Sequence, residues 1–140
     1  MPAQAWFTID RRIVPNETLR VAEREVIAAL KAARAKTPKV KMDVSVYQRI
    51  DPCVSDTQSS FHRQFAQVVR AVRRRRPMFS VVRGFTDLHW FATDLGVPGI
   101  GYGPHGEGGH AVNERVDIAD MLAVAKVYAR FMQCFDPDDA

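Results

Sequence analysis

The sequence predicts a mixed α/β chain in two parts: an α+β piece over residues 1–50 and an α/β piece with parallel strand pairing over residues 51–140. Three observations predict it. Residues 5–48 read strand, helix, strand, and the second strand alternates apolar and polar residues. Residues 61–134 alternate helical stripes with short, nearly all-apolar runs, the pattern of strands covered on both faces. Between them, Asp51 to Ser60 is polar and carries Pro52, a boundary signal. Each piece is about half a comfortable domain, and so small a core stabilises little. The expectation is a fragment, or a chain that needs a partner.

In order, Trp6 to Val14 reads as a strand, with Phe7 and Ile9 on one side and Trp6 and Thr8 on the other. Pro15-Asn16 marks a turn. Asn16 or Thr18 caps a helix running to about Arg34, because a side-chain oxygen there satisfies the first free N–H groups. Its stripe is Leu19, Ala22, Val26, Leu30 and Ala33. Lys36-Thr37-Pro38 ends it. Val40, Met42, Val44 and Val46 then alternate with Lys41, Asp43, Ser45 and Tyr47, a half-buried strand suited to an antiparallel sheet.

Phe61, Phe65, Val68, Val69 and Val72 form the stripe of the next helix, closed by Arg73 to Arg76 and Pro77. Met78 to Val82 reads as a buried strand. Gly84-Phe85-Thr86-Asp87 turns into a short helix to Leu95, with Thr86 as cap and Gly96 as stop. Val97 to Tyr102 reads as a second buried strand, near a sheet edge or a close backbone approach because of Pro98 and its glycines. Gly103 to Gly109 is a glycine-rich loop. Asp117 caps the last helix, with Ile118, Leu122, Ala125, Tyr128 (or Val124) and Met132 inward. Asp136 to Ala140 reads as a frayed tail.

Composition excludes several classes. Of 140 residues 46% are apolar and 26% charged, an ordinary globular balance that excludes disorder and collagen. No apolar run approaches the roughly 20 residues that span a bilayer, so a membrane is not an expected partner. Met1-Pro2-Ala3-Gln4 lacks the basic region and apolar core of an export signal. Cys53 and Cys134 are too few for a disulfide scaffold, so a cytoplasmic setting with free thiols is expected. The net charge is +4, and without Arg73 to Arg76 the chain would be neutral. That run sits at a helix end, where it complements the helix dipole, rather than along a groove interleaved with aromatics. Nucleic acid is therefore not an expected partner.

The stretch richest in chemistry is Tyr102 to Glu114. It holds His105, Glu107, His110 and Glu114 among glycines that allow close backbone approach. It follows the carboxyl end of a predicted buried strand, where α/β folds place their sites. Neutral imidazole is a common zinc ligand, although a flexible surface loop explains the same residues on spacing alone. The two histidines lack the i, i+4 spacing of an HExxH site, and the chain has no HxD pair.

The ordered set Gly84-Phe85-Thr86-Asp87, Gly96-Val97-Pro98, Tyr102-Gly103-Pro104 and Gly109-His110-Ala111-Val112-Asn113-Glu114 resembles the C-terminal part of the zinc amidohydrolases. This is the family of acetylornithine deacetylase, succinyl-diaminopimelate desuccinylase, aminoacylase and carboxypeptidase G. Upstream, Ile9-Asp10-Arg11-Arg12 followed by Pro15-Asn16-Glu17 is similar to that family's lid, usually Asp-x-Arg then Pro-Gly-Glu. The resemblance covers about residues 5 to 135. It implies a fragment of a parallel-sheet zinc-peptidase catalytic domain (51–140) preceded by part of an α+β lid, or dimerisation, sandwich (1–50).

The resemblance also implies roles. His110 would be a ligand to one of two zinc ions, with Asn113 and Glu114 orienting the loop around it. Arg12 would reach a substrate carboxylate, and Gly84 and Thr86 would lie beside the substrate. The substrate would be an N-acyl amino acid or small peptide, cleaved at its amide bond by zinc-bound water with a glutamate as general base. That glutamate, the HxD histidine, the other carboxylate ligands and a lid histidine belong to parts of the family absent here. This chain would then carry no catalytic residue and be inactive alone. It would associate with a missing N-terminal half, or form a homodimer through the lid strand at residues 40–48. The alternative is a non-catalytic dimerisation or binding module.

Simpler roles stand beside these. Arg12 can pair with Asp10 or Glu17 at the surface, Arg11 is expected to be solvated, and Thr86 can be only a helix cap. His89 stands where relatives often carry arginine, which weakens any carboxylate anchor there. His105 is expected at the rim, not on a metal.

Overall fold

A computed structural model describes residues 4–82 and 84–139. Met1 to Ala3, which begin the stretch read for an export signal, lie outside the described residues. The chain divides into two compact units, Met1–Cys53 and Val54–Ala140.

The first unit is built on α1 (Leu19–Lys36). Thr18 is extended, and its hydroxyl accepts from the Val21 N–H at 3.3 Å. Arg34 and Lys36 complement the carbonyl end. Leu19, Ala22, Val26 and Leu30 are covered to different degrees, whereas Ala33 is exposed. Ahead of the helix, Glu17 accepts from the Val14 N–H at 3.1 Å and from Arg11 at 2.7 Å. Arg11 also reaches Glu25 at 3.0 Å, so it is engaged rather than solvated. These contacts hold the Glu17 carboxyl below its ordinary range, the Arg11 hydrogen bond first and the Val14 N–H second.

The strands expected at Trp6 to Val14 and Val40 to Tyr47 are not formed. Both segments are without helix or ladder. A strand exists only where a neighbour receives its N–H and C=O groups, and among the described residues none pairs there. Val40, Val44 and Val46 are all exposed, so the alternation at residues 40–47 has no buried valine side.

In the second unit α2 (Ser60–Arg73) packs on α4 (Ile118–Cys134). The core is Phe65, Val68, Val69 and Val127, closed by Val72, Ile100, Tyr102 and Phe131. Phe65 meets Tyr102 and Phe131 edge-on, at centroid separations of 5.3 and 5.1 Å. Ser59 caps α2, and its hydroxyl lies 2.7 Å from Nδ1 of the buried His62. The inward face of α4 differs from the expected stripe. Val124 and Val127 are buried, while Ile118, Leu122, Ala125 and Met132 point outward and the exposed Tyr128 donates its hydroxyl to the Tyr102 carbonyl. The helix is apolar on two sides, so its periodicity alone does not choose between them.

The tail is not wholly frayed. Gln64 donates to the Asp136 carbonyl at 2.8 Å and accepts from the Asp136 N–H at 3.0 Å. The short helix α3 (Leu88–Asp94) begins at Asp87, not Thr86, and Thr86 contributes only its carbonyl, to the His89 N–H at 3.0 Å. Gly96, at φ +64°, terminates it.

The expected buried strands at Met78 to Val82 and Val97 to Tyr102 are unpaired, and Met78, Phe79, Val81 and Val82 are exposed. Ile100 and Tyr102 still pack on the core. Among the described residues the one ladder is antiparallel, joining β1 (Gly106–Glu107), inside the Gly103 to Gly109 stretch expected to be loop, to β2 (Arg115–Val116) beyond it. The architecture is mixed helix and small sheet, and parallel pairing is absent among the described residues.

Candidate metal-ligand loop

The loop carrying His110 grows from the core of the second unit. Tyr102 is held by Phe65 and by the Tyr128 hydroxyl, which fixes where the chain leaves the core. Three residues later the chain pairs with itself. The Asp117 N–H donates to the His105 carbonyl at 3.0 Å, Gly106 stands opposite Val116, and Glu107 opposite Arg115. The Glu107 and Arg115 side chains form an ion pair across the ladder. Gly106 is required there: a Cβ would sit 2.8 Å from the Arg115 carbonyl oxygen.

Residues 108–114 make the tip. The Ala111 N–H returns to the Gly108 carbonyl at 2.8 Å. Gly108, His110 and Asn113 have φ of 70°, 63° and 65°. A left-handed backbone costs an L residue roughly 1 kcal/mol or more, and histidine and asparagine bear it better than most. The His110 N–H donates to the Glu114 carboxylate at 3.3 Å, so Glu114 holds the backbone of the residue that presents the imidazole. His110 itself is exposed.

The loop is fastened at its base by Asp120, a residue the sequence reading did not single out. The Asp120 carboxylate accepts from the His105 N–H at 2.7 Å and pairs with Arg73 from the end of α2. The His105 N–H, then Arg73, holds the Asp120 carboxyl below its ordinary value. One arginine of the basic run is thus a structural partner of the loop. Asp117 caps α4 by accepting from the Asp120 N–H at 2.9 Å. The only local signal for Asp120 was an acid in a first helical turn, which the helix dipole explains equally well.

Of the expected site residues, the second unit brings His110, Asn113 and Glu114 together at one loop tip. His105 lies at the base of the same loop. Gly84 and Thr86 lie before α3, where Phe85, His89 and Trp90 cluster at centroid separations of 4.9 to 5.7 Å, with Trp90 edge-on to the other two and Phe85 tilted against His89. Arg12 belongs to the first unit, where its exposed guanidinium pairs with Asp10 at 2.9 Å.

A zinc ion needs three or four converging nitrogen, sulfur or oxygen donors. Among the described residues no three His, Cys, Asp or Glu side chains converge in that way. The loop tip offers one exposed imidazole, His110, on a braced backbone, and His105, also exposed, stands at the base. These residues alone do not fit a complete zinc site.

Comparison with known proteins places this loop in context. The family model for peptidase family M20/M25/M40 matches residues 7–133. Succinyl-diaminopimelate desuccinylase of Helicobacter hepaticus is 29% identical over 84 residues, covering 60% of this chain and 21% of that protein. The aligned part of the chain thus spans about a fifth of the length of that curated relative. No solved structure matches. A match running from the first extended segment to the last turn of α4 takes in both units and the whole His110 loop, and on it the chain belongs to the peptidase family M20/M25/M40.

Proposed function

We propose that this chain is the C-terminal part of a zinc-dependent amidohydrolase acting on the amide bond of an N-acyl amino acid or small peptide. On this reading residues 1–50 are part of the lid and residues 51–140 the end of the catalytic domain. The observation that carries it is His110: exposed, left-handed, and braced through its N–H by Glu114 inside the family match. His110 supplies one ligand of a zinc centre whose remaining ligands and general base come from elsewhere, and the chain alone does not hydrolyse. The relative's name, a desuccinylase, supports an N-acylated amino acid as the substrate class. Arg12, released from Asp10, is the side chain of the first unit suited to a substrate carboxylate. Two exposed free thiols, Cys53 and Cys134, are compatible with a cytoplasmic setting.

The test is complementation. The chain is co-expressed with a polypeptide carrying the HxD motif and paired glutamates, and hydrolysis of N-succinyl and N-acetyl amino acids is measured with added zinc. The expected result is no turnover by the chain alone, turnover by the pair, and loss of both turnover and bound zinc on His110→Ala. Activity from the chain alone, or full activity in the His110→Ala pair, overturns the assignment.

A further inference from the structure

One exposed face of α2 carries Arg63, Ala66, Gln67 and Arg70, at the helical spacing that lines up a single ridge. Together with Gln58, Arg76 and Phe79 they border a groove of about 470 Å³. That size suits a small molecule. Its lining contains three guanidinium groups and no acid. Among the described residues none of the three pairs with a carboxylate, unlike Arg11, Arg12, Arg49, Arg73 and Arg115. Arg63 donates to the Gln58 carbonyl, which holds it against the groove, and Phe79 is fixed edge-on to His62 at 5.6 Å.

The chemistry of the lining selects its ligand. Guanidinium groups match carboxylate and phosphate oxygens bidentately. Arg63 and Arg70 are two turns apart, about 10 Å along the axis. With three guanidinium groups on one groove, a ligand carrying linked anionic groups can engage more of them than a single small anion can. Half-buried Ala66 and exposed Phe79 add an apolar surface beside the charge. We propose that this groove binds a small molecule bearing two or more linked oxyanion groups, phosphoryl or carboxylate. It shares no residue with the His110 loop, so the proposal stands apart from the hydrolase reading.

The test is a titration of the 15N-labelled chain with tripolyphosphate and, separately, citrate, with sulfate at matched ionic strength as control. The proposal expects saturable shifts confined to residues 57–58, 63–70 and 76–79, with Kd below about 1 mM at about 0.15 M salt. The Arg63→Gln/Arg70→Gln double variant should weaken binding at least about tenfold, and Arg34→Gln on α1 should not. Glutamine is a good helix former, and an unchanged far-UV spectrum verifies the fold. Should the double variant misfold, Arg76→Gln, outside the helix, must weaken binding instead. Tighter binding of tripolyphosphate identifies a phosphoryl ligand, and tighter binding of citrate a carboxylate one. Shifts spread over all basic residues, equal shifts with sulfate, no saturation with either probe, or binding indifferent to the folded variants overturns the proposal.

Discussion

Replacing Val127 by alanine tests how the loop-bearing unit is held together. Val127 has no exposed surface and sits in the core with Phe65, Val68 and Val69. The substitution removes two buried carbons, about 1.6 kcal/mol at roughly 0.8 kcal/mol each. Incomplete collapse of the cavity adds up to about 1 kcal/mol. In a unit of this size each kcal/mol lowers the melting midpoint by about 4–8 °C, so a fall of about 6–20 °C is expected. Leu122 loses more carbons on going to alanine but is 56% exposed. That change should cost no more than about 0.5 kcal/mol. Scanning calorimetry of both variants, with far-UV spectra as a check on folding, separates the two. If Leu122→Ala lowers the midpoint more than Val127→Ala, the packed face of α4 is the one its sequence stripe suggests, and the core described above is wrong.

Burial holds His62 below its ordinary pKa of 6.5, so the folded unit favours the neutral ring. The unfolded chain then binds more protons just below pH 6.5, and the stabilisation present above that pH is lost as pH falls toward the folded value. Urea midpoints at pH 7.5 and 5 measure this, and the non-titrating His62→Gln should reduce the difference. Gly106→Ala drives a Cβ against the Arg115 carbonyl and should cost about 1–3 kcal/mol. Amide exchange of residues 105–117 should accelerate, and unchanged protection would contradict the ladder. Asp120→Asn removes the carboxylate shared by Arg73 and the His105 N–H, and should loosen residues 103–110 to proteolysis while α1 keeps its protection. Because the Asp120 pKa lies below its ordinary 3.8, this anchoring holds at neutral pH and fails as pH falls through that folded value. Proteolysis followed from about pH 7 downward past 3.8 reads that loss.

Helix ends were legible because their rules are local. A hydroxyl or carboxylate ahead of an apolar stripe is enough to place Asp117 as a cap and to narrow the cap of α1 to Asn16 or Thr18, although at α3 it pointed to Thr86 where Asp87 stands, and the stripe on α2 is the observed core face. The strands were not legible in the same way. Val40 to Val46 and Met78 to Val82 have the composition of strands, but pairing is a property of two segments, and composition describes one. The inward face of α4 was misjudged because Ile118, Leu122 and Met132 are as apolar as Val124 and Val127, and only the partner helix distinguishes them. At the candidate site, His110, Asn113 and Glu114 were found as a motif. Asp120 was not, because its partners, the His105 N–H and Arg73, lie 15 and 47 residues away along the chain.

Both feet of the His110 loop stand on one turn of α4. His105 is tied to Asp120 through its N–H and to Asp117 through its carbonyl, and Asp117 and Asp120 belong to the same capped turn. A loop anchored at two distant points can hinge open when one anchor moves. Here a small rotation or slide of the helix carries both anchors together, so the loop travels as a rigid tab and its tip keeps its shape. The His110 backbone is therefore geared to the helix: it shifts with α4, while its N–H keeps its bond to Glu114.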